Sequence, residues 1–249
     1  MRPLWQIVWI VFLIWSAIGA VVMPAGMSES WVRDVIQDPG AQQGLIDFLK
    51  LSDAIWMVLA AIVVIWCMGS QEGVRKTVIG CAIVAIGSGL VEWVGAETGV
   101  PFGPYKYTDN MGARIAGVLP FTIPLAWIVI VIGARYLVAW RFPSLKGRAF
   151  AVAVGGVALL TDLNLEIVAW KIRAYWVWYP FATGPIPLMP PWQNYASWFV
   201  LAACFARLLP PVPTWPRDAA FFRPIWVLLI INALFLLANI VRWIRLLPG

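Results

Sequence analysis

The sequence predicts an all-α fold, a polytopic integral membrane helix bundle of about seven transmembrane helices, forming one domain over residues 1–249. Two observations carry that expectation. The chain is 62% hydrophobic and 12% charged, with a mean hydropathy of +0.83, against about 45–50% apolar and about 25% charged for a soluble domain. The excess also falls in blocks, at residues 4–24, 52–69, 77–94, 113–140, 149–172, 192–209 and 224–247. Most of them reach the ~20 residues that carry a helix across ~30 Å of hydrocarbon. Little chain is left over for a soluble domain.

Taken in order, the first block, "LWQIVWIVFLIWSAIGAVVM", exceeds a signal-peptide core and lacks an A-x-A site, so it is expected to be a retained span. The second opens on Ser52 and Asp53, and Asp53 reads as a helix N-cap. The third carries Glu92 near its end, the fifth carries Asp162 and Glu166 in its second half, and the sixth opens close to Asn194. The seventh contains no lysine, which excludes a retinal Schiff base there. Cys67, Cys81 and Cys204 lie within spans without metal-ligand spacing and are expected to be small packing residues. Trp5, Trp9, Trp140, Trp226 and Trp243 read as interfacial belt residues.

The net charge of +6 comes from Lys and Arg scattered over short loops, with no basic face, so nucleic acid is not an expected partner. With the N-terminus taken as inside, Lys and Arg number 10 inside against 8 outside, a bias too small to set the orientation. There is no histidine, so no His-box di-iron centre and no His-ligated haem or zinc can form. No internal repeat argues for an inverted-repeat transporter.

Ionisable residues within spans cost about 2.5–3.5 kcal/mol on insertion scales and are candidate functional groups. Span parity puts the ends of the third and fifth spans and the starts of the second and sixth on one side of the bilayer. Glu92, Asp162, Glu166, Asp53 and Asn194 therefore share a side with the loops 100–112 and 173–191. Asp162 and Glu166 are spaced i, i+4 and lie on one helix face. Two such acids in a low dielectric do not both ionise easily, which would furnish a buried general acid. Ion pairing of these acids with Lys171, Arg173 or Arg114 is the alternative, as is Glu92 reaching out to water. The two loops are rich in Gly, Pro and aromatic residues and read as a lid over a pocket rimmed by acids.

The stretches "EWVGAETGVPFGPYKYTDNMGARIAGVLPFTIPLAW", "DLNLEIVAW", "YWVWY" and "WQNYASWF" are similar to carotenoid biosynthesis membrane proteins of the CruF type, the carotenoid 1,2-hydratases and bisanhydrobacterioruberin hydratases. The likeness covers about residues 92–199, with Ile167 where the pattern has Pro. It implies catalytic roles for Glu92, Asp162 and Glu166, and substrate contacts by Tyr105, Tyr107, Asp109, Trp127, Trp178 and Asn194. The implied reaction adds water to the terminal C1=C2 bond of an acyclic carotenoid, without redox change, cofactor or metal. The implied partners are a lipid-soluble carotenoid and membrane lipids, with other carotenoid-pathway enzymes left open, in a bacterial or archaeal cytoplasmic membrane. A membrane isoprenoid cyclase starting from the same protonated alkene, and a polyene carrier without chemistry, are the competing readings.

Overall fold

The computed structural model describes residues 2–23, 29–180, 189–213 and 217–246. Among these, the chain forms α1 (Arg2–Val22), α2 (Glu29–Val35), α3 (Pro39–Glu72), α4 (Val74–Thr98), α5 (Thr122–Arg141), α6 (Gly147–Ile167), α7 (Trp192–Leu208) and α8 (Ala219–Leu246). Six of these helices are long and apolar enough to cross a membrane. The seventh expected span is α7, whose 17 residues give about 26 Å of helix, slightly less than the hydrocarbon thickness. All seven apolar blocks thus become helices, and the short α2 adds an eighth.

Two boundaries differ from the sequence reading. α3 starts at Pro39, well before residue 52, because Asp38 caps it with a carboxylate oxygen 2.7 Å from the Ala41 amide and Pro39 fits the first turn. Asp53 is therefore an interior residue of α3 and not an N-cap. The fourth block loses its first part: Arg114–Ile115 (β2) and Leu119–Pro120 (β3) pair as a small antiparallel hairpin, and α5 begins only at Thr122.

α5 is the central helix, with 78% of its most apolar window buried, and α3, α4, α6 and α8 pack around it. α1 is the outermost, at 11%. α6 and α7 approach closely because Gly155 carries no side chain; a Cβ there would sit 2.7 Å from the Phe199 carbonyl oxygen. Asn164, Asn232 and Asn239 bridge α6 and α8, with the Asn164 amide donating to the Asn232 carbonyl at 2.7 Å and the Asn239 amide to the Asn164 carbonyl at 2.8 Å.

At one end of the bundle, a charge inside the fourth apolar block is fully buried in α5. Arg135 lies 3.7 Å from Glu72 at the end of α3, and its guanidinium also donates to the Pro210 carbonyl. Tyr136 donates to the same Glu72 oxygen at 3.1 Å. Removing one partner of a buried pair strands the other, which costs about 3–5 kcal/mol. Arg135→Met is expected to lower unfolding free energy in detergent by that order, and adding Glu72→Gln to it should recover part of the loss.

The opposite end holds the loops. Tyr105–Tyr107 (β1) pairs antiparallel with Trp176–Trp178 (β4), Tyr105 opposite Trp178 and Tyr107 opposite Trp176. Residues alternate across a strand, so both Tyr and both Trp turn inward while Lys106 faces out. A π-helical turn, Val168–Ile172, continues α6 into this ribbon. The Thr108 amide donates to the Tyr175 carbonyl and the Tyr179 amide to the Pro104 carbonyl, both at 2.9 Å. The expected lid is thus, in its described part, a two-stranded ribbon; its remaining residues 181–188 lie outside the described residues.

Candidate active site

Under the ribbon lies a cavity bounded by α3, α4, α5, α6, α7 and α8, with about 880 Å³ of empty space including its mouth. Its wall is almost wholly apolar and aromatic. Glu92, Glu166 and Asn194 line it, as do Trp56, Ile231 and Phe235.

Glu92 sits near the end of α4, 5% exposed. One carboxylate oxygen accepts from the Tyr105 and Tyr107 hydroxyls, each at 2.7 Å, and the other accepts from the Trp127 indole N–H at 2.9 Å. The glycine one turn on makes this possible. A Cβ at Gly95 would stand 2.6 Å from the Phe102 ring and 3.0 Å from the Tyr105 hydroxyl, pushing the phenol off Glu92. The two tyrosines lie in β1, outside the spanning helices. Burial first, and then the neighbouring Glu92 charge, push both phenols well above their ordinary pKa, so each remains a hydrogen donor through the working pH range.

Glu166 and Asp162 project from α6 one turn apart, 1% and 0% exposed. Asn194, at the start of α7, donates its amide to both, 2.8 Å from Glu166 and 2.9 Å from Asp162. The other Glu166 oxygen accepts from the Trp178 indole at 3.1 Å and more weakly from Trp176 at 3.4 Å. Asp162 has one oxygen without a partner and does not reach the cavity wall, so it stands behind Glu166. The donors facing the three acids are thus two phenols, three indoles and one amide, all uncharged.

The ion-pair alternatives are not what the structure shows. Arg173 pairs with Asp53 through its Nε at 2.9 Å, Arg114 pairs with Asp109 at 2.6 Å, and Lys171 lies over the Trp170 ring. Glu92 is enclosed and does not reach out to water. Of the residues singled out in the sequence, Glu92, Glu166, Tyr105, Tyr107, Trp127, Trp178 and Asn194 meet at one cavity. Asp109 does not join them: its side chain is 82% exposed and held by Arg114 on the outer side of the lid. The sequence reading also passed over the Asp53–Arg173 pair and Trp198, which stacks on Trp127 with ring centroids 4.3 Å apart. The signal for the pair was a span-side acid and a loop arginine of equal depth, which parity alone already placed on one face.

Such an arrangement can hold a proton beside an apolar guest, stabilise positive charge on aromatic faces and carboxylates, and admit a small polar reactant.

The pattern of a family described as "Carotenoid biosynthesis protein" matches residues 52–247. The chain is also similar to a bisanhydrobacterioruberin hydratase from Haloarcula japonica, 33% identical over 137 residues that cover 52% of this chain and 44% of that protein. The chain therefore aligns with less than half the length of that relative. No solved structure matches.

Proposed function

The chain belongs to the carotenoid biosynthesis protein family, and from that premise we propose that it is a hydratase, adding water to the terminal C1=C2 bond of an acyclic carotenoid. The observation that carries this reading is the acid cluster: carboxyls from α4 and α6, furnished only with neutral donors, at a largely apolar cavity. The name of the Haloarcula japonica relative supports the same reaction class.

The hard step is protonating an unactivated alkene. The alkene π pair takes the proton of the Glu166 carboxyl at C2, leaving a carboxylate on Glu166 and a tertiary cation at C1. Tyr107, Trp176 and Trp178 line the cavity beside Glu166 and offer ring faces to that cation. A water lone pair then forms the C1–O bond, and the water's surplus proton goes to a carboxylate, which restores the acid. Glu92, held as a hydrogen-bond acceptor by three donors, orients the water and opposes the cation's charge. Asn194 couples Glu166 to Asp162, which serves as a second proton carrier behind it. The sum is alkene plus water, with no change in oxidation state.

Expression in bacteria that make lycopene tests the reading. The expected pigments are 1-hydroxy derivatives heavier by one water per modified end. A product of unchanged mass but altered spectrum would point instead to cyclisation, and unaltered lycopene co-purifying with the protein would point to a carrier; either result overturns the hydratase reading.

A further inference from the structure

A second apolar groove runs on the lipid side of α3, between α1, α3 and α8, with about 630 Å³ of empty space including its mouth. Trp15 and Gly19 of α1, Phe48 and Ser52 of α3 and Leu234 of α8 are among its walls. It shares two wall residues, Asp53 and Trp56, with the acid-bearing cavity. Trp56 stands in the seam between α3 and α8, edge-on to Phe235 with ring centroids 6.2 Å apart. Its indole N–H donates to the Ser16 hydroxyl at 3.0 Å, and the Trp15 indole donates to the Ser52 carbonyl at 3.1 Å, so α1 is fastened to α3 at the level of the groove.

We propose that this groove receives the polyene tail of the substrate, with Trp56 as the door between it and the acid chamber. The substrate's identity rests on the hydratase reading above; the groove itself rests on the shared wall. A rod-like polyene whose end lies against Glu92 and Glu166 leaves the acids across the apolar part of the wall, to which Trp56, Ile231 and Phe235 belong. Beyond Trp56 the continuing space is the α1 groove. Its outer helix is the least buried of the six long spans, so a guest arriving from the bilayer meets this side without crossing the packed core around α5. Asp53 and Arg173, paired at the chamber's edge, keep the polar side of that wall closed, so the passage falls to the apolar side, at Trp56.

Gly19 gives a way to obstruct the groove. A Cβ there meets only Leu234, at 3.9 Å, so a side chain can start from this wall position without a backbone clash. The purified full chain in lipid nanodiscs is assayed for lycopene retention and for hydration of lycopene and of a monoterpene-length acyclic alkene with the same end group. Gly19→Trp is expected to reduce lycopene retention and kcat/KM by about tenfold while the short alkene changes by less than about twofold. Gly19→Leu, a milder filler, should lower lycopene retention and kcat/KM by less while again sparing the short alkene, which keeps the test open if the Trp variant fails to fold. Equal effects on long and short substrates, or no effect on lycopene, would overturn the groove. Wild-type protein that retains lycopene but hydrates neither substrate would sink the hydratase reading alone, leaving the groove to be judged by retention in the variants. Wild-type protein that retains none overturns the groove.

Discussion

Glu92→Gln should reduce hydration by about 10²–10³-fold with the bundle still folded. Three donors converge on this carboxylate, two phenols at 2.7 Å and an indole at 2.9 Å. Such convergence fixes a negative charge in one orientation, and in a largely apolar cavity that charge acts more strongly than it would in water on a cation forming nearby. The amide keeps the shape: its oxygen can accept from the Trp127 N–H, and its NH2 can donate to a phenol oxygen. What it lacks is charge. The loss should appear in kcat, because the ground-state alkene is neutral and gains nothing from the carboxylate, whereas the transition state does. Tyr107→Phe removes one of the three donors and is expected to cost less, about tenfold. A Glu92→Gln protein with near wild-type kcat would remove this residue from the chemistry.

Glu166→Gln and Asp162→Asn should separate, although the two acids are one turn apart on the same helix. Glu166 lines the cavity and Asp162 does not. Loss of the direct proton donor is worth about 10²–10⁴-fold, and Glu166→Gln is expected to fall in that range. Asp162→Asn leaves Glu166 in place with its Trp178 and Asn194 contacts, so a smaller loss of about tenfold is expected. One Asp162 oxygen has no partner in the folded protein, so the neutral amide should change stability by no more than about 1 kcal/mol. Turnover by each variant, alongside its melting temperature in detergent, checks both statements. Asp162→Asn losing more activity than Glu166→Gln would reverse the assigned order of the pair.

The helices were legible because a bilayer imposes a length: seven apolar blocks became seven helices. The acid cluster was legible for a related reason, since span parity fixes which helix ends are neighbours, and i, i+4 spacing fixes a shared face. Neither rule speaks about where helices extend into water. Asp38 and Pro39 start α3 in a polar stretch that hydropathy does not mark, and this turned Asp53 from a cap into an interior partner of Arg173. The β1–β4 ribbon was hidden for another reason. Its strands are three residues each, and their pairing joins segments far apart in sequence; only the alternation in "YKY" and "WVW" hinted at it. Arg135 lies near the end of its apolar block and was not among the ionisable span residues singled out, yet Glu72 and the Pro210 carbonyl hold it fully buried. Asp109 sits in the same motif-rich loop as Tyr105 and Tyr107, but residue-by-residue likeness says nothing of facing, and the 3-10 turn that begins there sends it outward to Arg114.

The most direct test of the acid chemistry follows atoms rather than rates. Purified protein turning over lycopene in D2O enriched in oxygen-18 is analysed by mass spectrometry and NMR. The account predicts one carbon-bound deuterium at C2 and one solvent-derived oxygen at C1 for each hydrated end, with both labels lost in step in the Glu166→Gln protein. Oxygen arriving without carbon-bound deuterium, or product formed at the wild-type rate by that variant, would contradict it.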